Sequence, residues 1–294
     1  MLRTTGKLTR GDLDSLKIVV VGAGTMGAGI AYSAAIAGHD VNVVEQNQKF
    51  LDQGMNRIDD YLKKGVSRGT ITSDQETRIR EKIHGTLDYS KACENAQLAV
   101  EAVYEDEGVK SKVFESLDKS CPRNAILASN TSSISITKLA DRTKRPEKVV
   151  GLHFFNPVPA MKLVEVIRGR ETSPDTLKRA EKFAQTMGKT IVHSADKTGF
   201  IVNRSLMLFI NESARLLDEK VATPSDIDKA FVLGANHPMG PLQLADFIGL
   251  DIVVDVLKVL EKDYGERFTP ASSLQRLVSE KKLGRKTRKG FYEY

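Results

Sequence analysis

A glycine-rich turn between a short apolar run and a helical pattern is the first segment that could take part in chemistry. The run KIVVV, residues 17–21, is followed at once by GAGTMG, which comprises Gly22, Ala23, Gly24, Thr25, Met26 and Gly27. In such a turn the first glycine permits the tight bend and the second lets the backbone approach a pyrophosphate. The third allows a helix to pack closely on the strand. The context predicts a dinucleotide site, and the alternative is a glycine-rich turn that binds no ligand.

An acidic residue follows at the spacing that a bound ribose requires. Glu45 ends a second apolar run, VNVVE, residues 41–45. A carboxylate at the end of the second strand can accept hydrogen bonds from the adenosine ribose hydroxyls. It would also repel a 2′-phosphate, and no arginine follows immediately. The sequence therefore favours NAD over NADP.

A histidine and a glutamate occur within the segment GLHFFNPVPAMKLVEVIRG, residues 151–169. Two adjacent parallel strands joined by the short Asn-Pro-containing loop would bring His153 beside Glu165. A carboxylate on one imidazole nitrogen fixes the tautomer and raises the basicity of the ring, as proton acceptance during alcohol oxidation requires. The alternatives are a hydrogen-bonded core histidine and an outward-facing glutamate on an alternating strand.

Strand and helix patterns alternate around these residues. The strand candidates are residues 17–21, 41–45, 97–103, 125–130, 148–155, 162–167 and 190–194. The helical candidates are Ala28–Ala37, a hairpin over 47–84 that turns at Gly65 and Gly69, Glu107–Lys119 and Pro174–Met187. This alternation predicts an α/β fold with a doubly wound, mostly parallel Rossmann-type sheet and a helical hairpin insertion.

The pattern changes after Gly199 and becomes entirely helical. Thr223 and Pro224 are typical of an N-cap and a first helical position, and residues 241–262 form a further helical pattern. No strand pattern recurs until the final GFYEY. We expect a disordered leader over residues 1–15, an NAD-binding domain over 16–198 and an all-helical substrate and dimerisation domain over 199–294.

Composition narrows the classes of partner. The net charge of +6 comes from basic residues mixed with acids, which indicates a solvated surface rather than a nucleic-acid interface. Basic clusters that flank an active site would suit an anionic substrate carrying several phosphates. No apolar run approaches the roughly 18 residues of a membrane span, and Asp12 and Asp14 argue against a transit peptide. Cys93 and Cys121 lack CxxC spacing, so we predict no metal site and a reducing compartment.

From about Leu16 to Tyr294 the chain resembles the L-3-hydroxyacyl-CoA dehydrogenase family, in its short single-function form often called 3-hydroxybutyryl-CoA dehydrogenase. The matching segments follow the family's order and are GAGTMGAGIA, SNTSSISIT, GLHFFNPVPAMKLVEVI, DKTGFIVNR, NHPMGPLQLADFIGLD and GRKTRKGFYEY. The resemblance implies hydride transfer between NAD and the C3 hydroxyl of a short-chain acyl-CoA, in fatty acid or butanoate metabolism. It further implies a homodimer formed through the helical domain, in the bacterial cytoplasm rather than the mitochondrial matrix.

The same resemblance assigns roles to individual residues. The catalytic group comprises His153, Glu165, Ser132 and Asn203. Cofactor contacts beyond the glycine turn fall on Glu45, Glu105, Lys110, Asn130 and Lys286. Substrate contacts fall on Ser132, Asn156 and Asn203, and coenzyme A contacts on Lys64 and Arg68.

Several of these residues have simpler local explanations. Ser132 would cap a helix in SISITKLA, Asn203 would brace a domain junction, and Lys110 and Lys286 would be plain surface charges. The sequence also departs from the family pattern, because Arg288 stands where the resemblance leads us to expect glycine.

Two other functions remain as alternatives. One is an enzyme of the same superfamily that oxidises a sugar acid or hydroxy acid, against which the intact HFFNPVPAMKLVEVI segment argues. The other is an NAD-binding structural or regulatory protein, against which the complete set Ser132, His153, Glu165 and Asn203 argues.

Overall fold

The described part of the chain consists of two compact units. A computed structural model describes residues 15–294, so the predicted leader lies outside the described residues apart from Ser15. The first unit ends at Asp196 and the second begins at Lys197.

An eight-stranded sheet forms the centre of the first unit. Its strands are β1 (Lys17–Val21), β2 (Asp40–Val44), β3 (Ile83–Thr86), β4 (Leu98–Glu101), β5 (Ile126–Ser129), β6 (Val149–Phe154), β7 (Leu163–Arg168) and β8 (Thr190–Ala195). They lie in the order β3-β2-β1-β4-β5-β6-β7-β8. Every neighbouring pair is parallel except β6 and β7. The predicted mostly parallel, Rossmann-type sheet is therefore confirmed.

The central strands are buried along their whole length, as parallel strands covered on both faces must be. All residues of β4, β5 and β6 are buried, and in β1 only Lys17 is exposed. The chain builds β1, β2 and β3 in one direction and then returns to place β4 on the other side of β1. In open α/β sheets the crevice at such a reversal, outside the carboxyl ends of the strands, is where ligands bind.

The helices of the first unit connect these strands. They are α1 (Thr25–Ile36), α2 (Gln48–Ser67), α3 (Ser73–Arg80), α4 (Tyr89–Cys93), α5 (Glu107–Ser120), α6 (Ile136–Ala140) and α7 (Pro174–Thr186). The predicted helical hairpin corresponds to α2 and α3, but its turn includes only Gly69, with φ +68°, because Gly65 lies inside α2. Thr72 and Gln75 form a capping box at the start of α3. Helix α1 starts inside the glycine turn, three residues earlier than its apolar pattern indicates.

The structure also corrects two predictions about the strands of this unit. Residues 83–84, assigned to the helical hairpin, belong to strand β3; this is an edge strand in which only Ile83 is buried, so no apolar run marks it. Strands β6 and β7, predicted as parallel, are antiparallel. Only residues 155–162 separate them. A parallel crossover needs a dozen or more residues, which this connection does not provide.

The second unit is helical, as predicted. Its helices are α8 (Val202–Asp218), α9 (Pro224–Gly234), α10 (Pro241–Ile248), α11 (Leu250–Tyr264) and α12 (Ser272–Ser279). Thr223 caps α9 and Pro224 takes its first position, in agreement with the sequence. The helix predicted over 241–262 is instead two helices. Gly249 divides them with φ +105°, a conformation that a helix cannot contain.

The carboxyl-terminal segment is tied to α10 by one buried carboxylate. Asp246 accepts hydrogen bonds from the backbone N–H groups of Phe291 and Tyr292 and from the hydroxyl of Tyr294. The final GFYEY is not a strand, and only its Glu293 takes part in an isolated bridge, with Lys289. Its function in the fold is therefore to close the helical unit onto Asp246.

Candidate active site

The glycine turn lies at the carboxyl end of β1, at the point where the strand order reverses. Gly22 has φ +94°, and a Cβ at Gly27 would lie 1.8 Å from the carbonyl oxygen of Gly22. By contrast, a Cβ at Gly24 would have no protein atom within 4 Å. Gly22 and Gly27 are thus required by the turn itself, whereas Gly24 leaves open space on its outer side. This arrangement fits the close approach of a pyrophosphate to the backbone.

Glu45 directs its carboxylate at this turn. It follows β2 immediately, and its two oxygens accept hydrogen bonds from the N–H of Ala23 at 2.6 Å and of Gln46 at 3.1 Å. These contacts hold the carboxylate beside the glycine turn, where a ribose next to a bound pyrophosphate would lie.

His153 and Glu165 are cross-strand partners. They face each other in the antiparallel register of β6 and β7, and Nδ1 of His153 lies 2.6 Å from Oε2 of Glu165. Glu165 is fully buried and His153 is nearly so. The ring of Phe155 packs against the imidazole, with 4.4 Å between the ring centroids. With the Nδ1 proton donated to the carboxylate, the lone pair of the imidazole lies on Nε2, which is the state of a proton acceptor. The alternative of an outward-facing glutamate is wrong.

Ser132 lies on a loop that follows β5, and several donors of this loop bind the same carboxylate oxygen. Oε1 of Glu105 accepts hydrogen bonds from the hydroxyl of Thr131 at 2.5 Å and from the N–H groups of Ser132 at 2.9 Å and Ser133 at 3.1 Å. The cap of the next helix is Ser135, so the capping explanation for Ser132 is wrong. Burial alone would raise the pKa of Glu105, but the Lys110 ammonium and these hydrogen bonds outweigh it and lower that pKa.

Lys110 is one of the most deeply buried side chains of the unit, at 1% exposure, so it is not a plain surface charge. Its ammonium contacts Glu101 at 2.6 Å, Glu105 at 3.2 Å and the carbonyl of Val103 at 3.3 Å. Glu101 is not among the site residues predicted from sequence. Its one signal was its position as a single acid inside the otherwise apolar run LAVEAV.

The remaining residues assigned to the first unit divide into two groups. Asn130 follows β5, and its side-chain oxygen accepts a hydrogen bond from the N–H of Phe154 on β6, so it ties two strand ends together beside His153. Asn156 is exposed on the loop between β6 and β7. Lys64, in the last turn of α2, and Arg68, at its carboxyl-terminal cap, are both exposed and close together along the chain.

Asn203 and Lys286 belong to the second unit. Asn203 is half-buried in the first turn of α8, and Lys286 forms an ion pair with Asp251 in the first turn of α11. Near Lys286, Arg288 has φ +58°. The backbone there adopts the left-handed conformation, which costs a non-glycine residue about 1 kcal/mol. That conformation explains why glycine suits this position.

Two absences concern the described residues alone. Within residues 15–294 no three His, Cys, Asp or Glu side chains are grouped so that they could hold a metal ion. Over the same range, no helix has the length and apolar character needed to cross a membrane.

Two family models match the chain. The model described as "3-hydroxyacyl-CoA dehydrogenase, NAD binding domain" matches residues 17–197. The model described as "3-hydroxyacyl-CoA dehydrogenase, C-terminal domain" matches residues 199–294.

Individual proteins are similar over nearly the whole chain. A 3-hydroxybutyryl-CoA dehydrogenase of Clostridioides difficile is 42% identical over 280 residues, which cover 95% of this chain and 99% of that protein. The crystal structure of FadB2 from M. tuberculosis matches with a TM-score of 0.92 and 41% identity, covering 96% of this chain and 100% of the other. That of the (S)-3-hydroxybutyryl-CoA dehydrogenase PaaH1 from Ralstonia eutropha gives a TM-score of 0.90 and 39% identity, covering 95% and 99% of the two chains.

Proposed function

The chain belongs to the 3-hydroxyacyl-CoA dehydrogenase family, which makes it an NAD-dependent dehydrogenase, and on that premise we propose how its residues act on a short-chain substrate. The observation that carries the proposal is the buried contact between His153 and Glu165 at the carboxyl edge of the sheet that also carries the glycine turn. A proton acceptor and a dinucleotide cradle at one sheet edge are what oxidation of an alcohol by hydride transfer requires.

His153 acts as the general base. Its Nε2 takes the proton of the C3 hydroxyl, and the Glu165 carboxylate stabilises the imidazolium that forms. In the reverse direction, the protonated His153 returns the proton to the C3 oxygen. NAD, when bound, supplies the hydride acceptor for the oxidation and, as NADH, the hydride donor for the reduction.

Ser132 orients the same hydroxyl. The loop that carries it is held by Glu105 next to the end of β5, one strand away from His153. Asn203 and Asn156 are assigned to the substrate, and Asn130 and Lys286 to the cofactor, on the ground of family membership. On this assignment the first unit contributes most of the cofactor contacts, and the second contributes Lys286 to the cofactor and Asn203 to the substrate.

The acyl-CoA assignment can be tested against its alternatives in one assay. Purified protein with NADH should reduce acetoacetyl-CoA, and kcat/KM should fall along a series of longer 3-ketoacyl-CoA substrates. Activity on free 3-keto acids equal to that on the thioesters would favour the hydroxy-acid alternative. Absence of any absorbance change at the NADH band with all substrates would favour a non-enzymatic NAD-binding protein.

Glu45 is expected to set the cofactor preference. Wild type should strongly prefer NADH over NADPH, and Glu45→Gln should raise KM for NADH by roughly ten- to a hundredfold, because a hydrogen bond to a charged group contributes about 1.5–3 kcal/mol. The measurement is kcat/KM for both cofactors. Asp40→Asn is the matched control, since Asp40 begins the same strand at the opposite edge of the sheet. Equal kcat/KM for the two cofactors in wild type would contradict the role given to Glu45.

Lys64 and Arg68 are expected to bind the phosphates of coenzyme A. Replacing both with alanine should raise KM for acetoacetyl-CoA by roughly three- to tenfold and leave kcat unchanged, since such contacts bind ground state and transition state alike. The paired control is Arg142→Ala with Lys178→Ala, which removes the same charge from exposed positions elsewhere. If KM is unchanged in the first pair, Lys64 and Arg68 are ordinary surface charges.

Self-association and location complete the proposal. Large apolar side chains are exposed on the helical unit, among them Leu233 at 82%, Val221 at 63% and Phe247 at 51%. Exposed apolar surface of this kind supports a homodimer formed through the second unit, and sedimentation equilibrium would measure it. We also propose that the protein acts in the bacterial cytoplasm, in fatty acid or butanoate metabolism, which the bacterial relatives at 42% and 43% identity over 95% of this chain support.

A further inference from the structure

Glu101 is a buried carboxylate that the mechanism above does not use. It ends β4, where it pairs in register with Val21 on one side and Ser129 on the other, so it lies between β1 and β5. Its exposure is 0%. Three donors converge on it: the ammonium of Lys110 at 2.6 Å, the hydroxyl of Ser129 at 2.6 Å and the N–H of Val103 at 2.7 Å.

Lys110 links Glu101 to a second carboxylate, that of Glu105. A lysine ammonium has three N–H donors, and the acceptors here are Glu101, Glu105 and the carbonyl of Val103. Without the ammonium, the two carboxylates would repel each other, so Lys110 is what allows Glu105 to stay beside Glu101.

Glu105 in turn holds the loop of Ser132. Besides the N–H groups of Ser132 and Ser133, its Oε1 lies within hydrogen-bonding distance of both serine hydroxyls, at 3.3 and 3.0 Å. These N–H groups lie beyond the end of β5, so a strand ladder does not bind them. Bonds within the loop add to these contacts, since Ser133 N–H also lies 3.2 Å from the Thr131 hydroxyl and Thr131 N–H donates to the Ser129 hydroxyl. Oε1 of Glu105 is nevertheless the acceptor that Thr131, Ser132 and Ser133 share.

Stability alone does not account for such a network. A buried ion pair contributes little net stability compared with apolar residues of similar volume, because desolvation offsets the attraction between the charges. What the charges do provide is a defined position for backbone that has no ladder partner.

We propose that Glu101 is a positioning residue for the reaction: through Lys110 and Glu105 it fixes the loop over residues 131–133 and so places the Ser132 hydroxyl for the substrate. The catalytic part of this statement rests on the proposed function. The structural part, that Glu101 orders the loop, does not.

Hydrogen exchange in the protein without substrate or cofactor tests the structural part. In Glu101→Gln, the N–H groups of Ser132 and Ser133 should exchange about tenfold faster or more, because the charge-assisted hydrogen bonds from these groups to Glu105 are weakened. The matched control is Asp118→Asn, which weakens another buried ion pair, that with Arg145. It should lower Tm without changing exchange in this loop. Unchanged exchange at Ser132 and Ser133 in Glu101→Gln would overturn the proposal.

Kinetic measurements in the wild-type and Ser132→Ala backgrounds test whether Glu101 acts through Ser132. Glu101→Gln should lower kcat/KM for acetoacetyl-CoA by about tenfold or more, and added to Ser132→Ala it should change kcat/KM by less than about twofold, because residues that act through one group are not additive. Losses that multiply in the double variant would show that Glu101 does not act through Ser132.

A further variant covers the case in which Glu101→Gln does not fold. Glu101→Gln with Lys110→Met removes the two fully buried charges together, and Glu105, whose side chain is 37% exposed, keeps contact with solvent, so the variant should retain stability. In this double variant, the N–H groups of Ser132 and Ser133 should exchange as fast as expected for Glu101→Gln, because Glu105 has lost its ion partner Lys110. Slow exchange of these N–H groups would overturn the proposal. If wild type proves inactive on acetoacetyl-CoA, the proposed function fails, whereas the exchange result still decides the role of Glu101.

Discussion

Glu165→Gln is expected to lower kcat by about a hundredfold or more, the scale of general acid–base assistance. The substitution keeps the shape of a side chain that is fully buried against the imidazole of His153 and removes its charge. The imidazolium that forms during oxidation then loses its counter-charge, and the amide no longer selects the tautomer with the proton on Nδ1. KM for NADH should hardly change, since neither residue is assigned to the cofactor.

The pair should behave as one unit. His153→Ala should be at least as damaging as Glu165→Gln, and the double variant should be little worse than the worse single variant. Glu171→Gln is the control, because Glu171 is an exposed acid just beyond the end of β7. Near-normal kcat in Glu165→Gln, or losses that multiply in the double variant, would contradict a shared role.

Gly27→Ala is expected to damage both fold and cofactor binding. Alanine inside a helix ordinarily stabilises by about 1 kcal/mol relative to glycine. Here, however, the new Cβ would lie 1.8 Å from the carbonyl oxygen of Gly22. Overpacking of this kind costs about 1–3 kcal/mol or more, so Tm should fall by roughly 5–10 °C. Because the turn must move to relieve the clash, KM for NADH should also rise by about tenfold or more.

Gly24→Ala separates these two effects. Its Cβ would have no protein atom within 4 Å, so Tm should stay within about 2 °C of wild type. KM for NADH should nevertheless rise by roughly tenfold, because the methyl group occupies the space through which a pyrophosphate approaches. Gly234→Ala is the control, an open glycine at the end of α9 that should change neither quantity. A loss of Tm in Gly24→Ala as large as in Gly27→Ala would mean that both glycines serve the turn alone.

The features predictable from sequence are those with a local signature. Strand β1 and the glycine turn are read directly from a β-branched run followed by three spaced glycines, and the cap of α9 from adjacent Thr223 and Pro224. These patterns act over a few residues, so tertiary context has little opportunity to override them. The features that escaped prediction depend on partners far along the chain or on a single backbone angle. Strand β3 is fixed by its pairing with β2, and the break between α10 and α11 by the conformation of Gly249.

The site residues likewise divide into those with a local sequence signature and those fixed by partners far along the chain. His153 and Glu165 could be proposed as partners because a short loop separates their strands, although the strand direction was predicted incorrectly. The burial of Lys110 and its pairing with Glu101 had no comparable signal. A lysine on a helix is usually exposed, and its ion partner is visible only once the sheet has assembled.

The antiparallel pairing of β6 and β7 also bears on the order in which the site assembles during folding. His153 and Glu165 are 12 residues apart, so closure of one short loop brings them together. Glu105 and Ser132 are 27 residues apart, and their contact requires helix α5 and the parallel strand β5 to be in place. Non-local, parallel pairings form late because their loop closure must precede any stabilising contact. The part of the site that moves the proton is thus a local folding unit, whereas the part that orients the hydroxyl waits for the completed sheet.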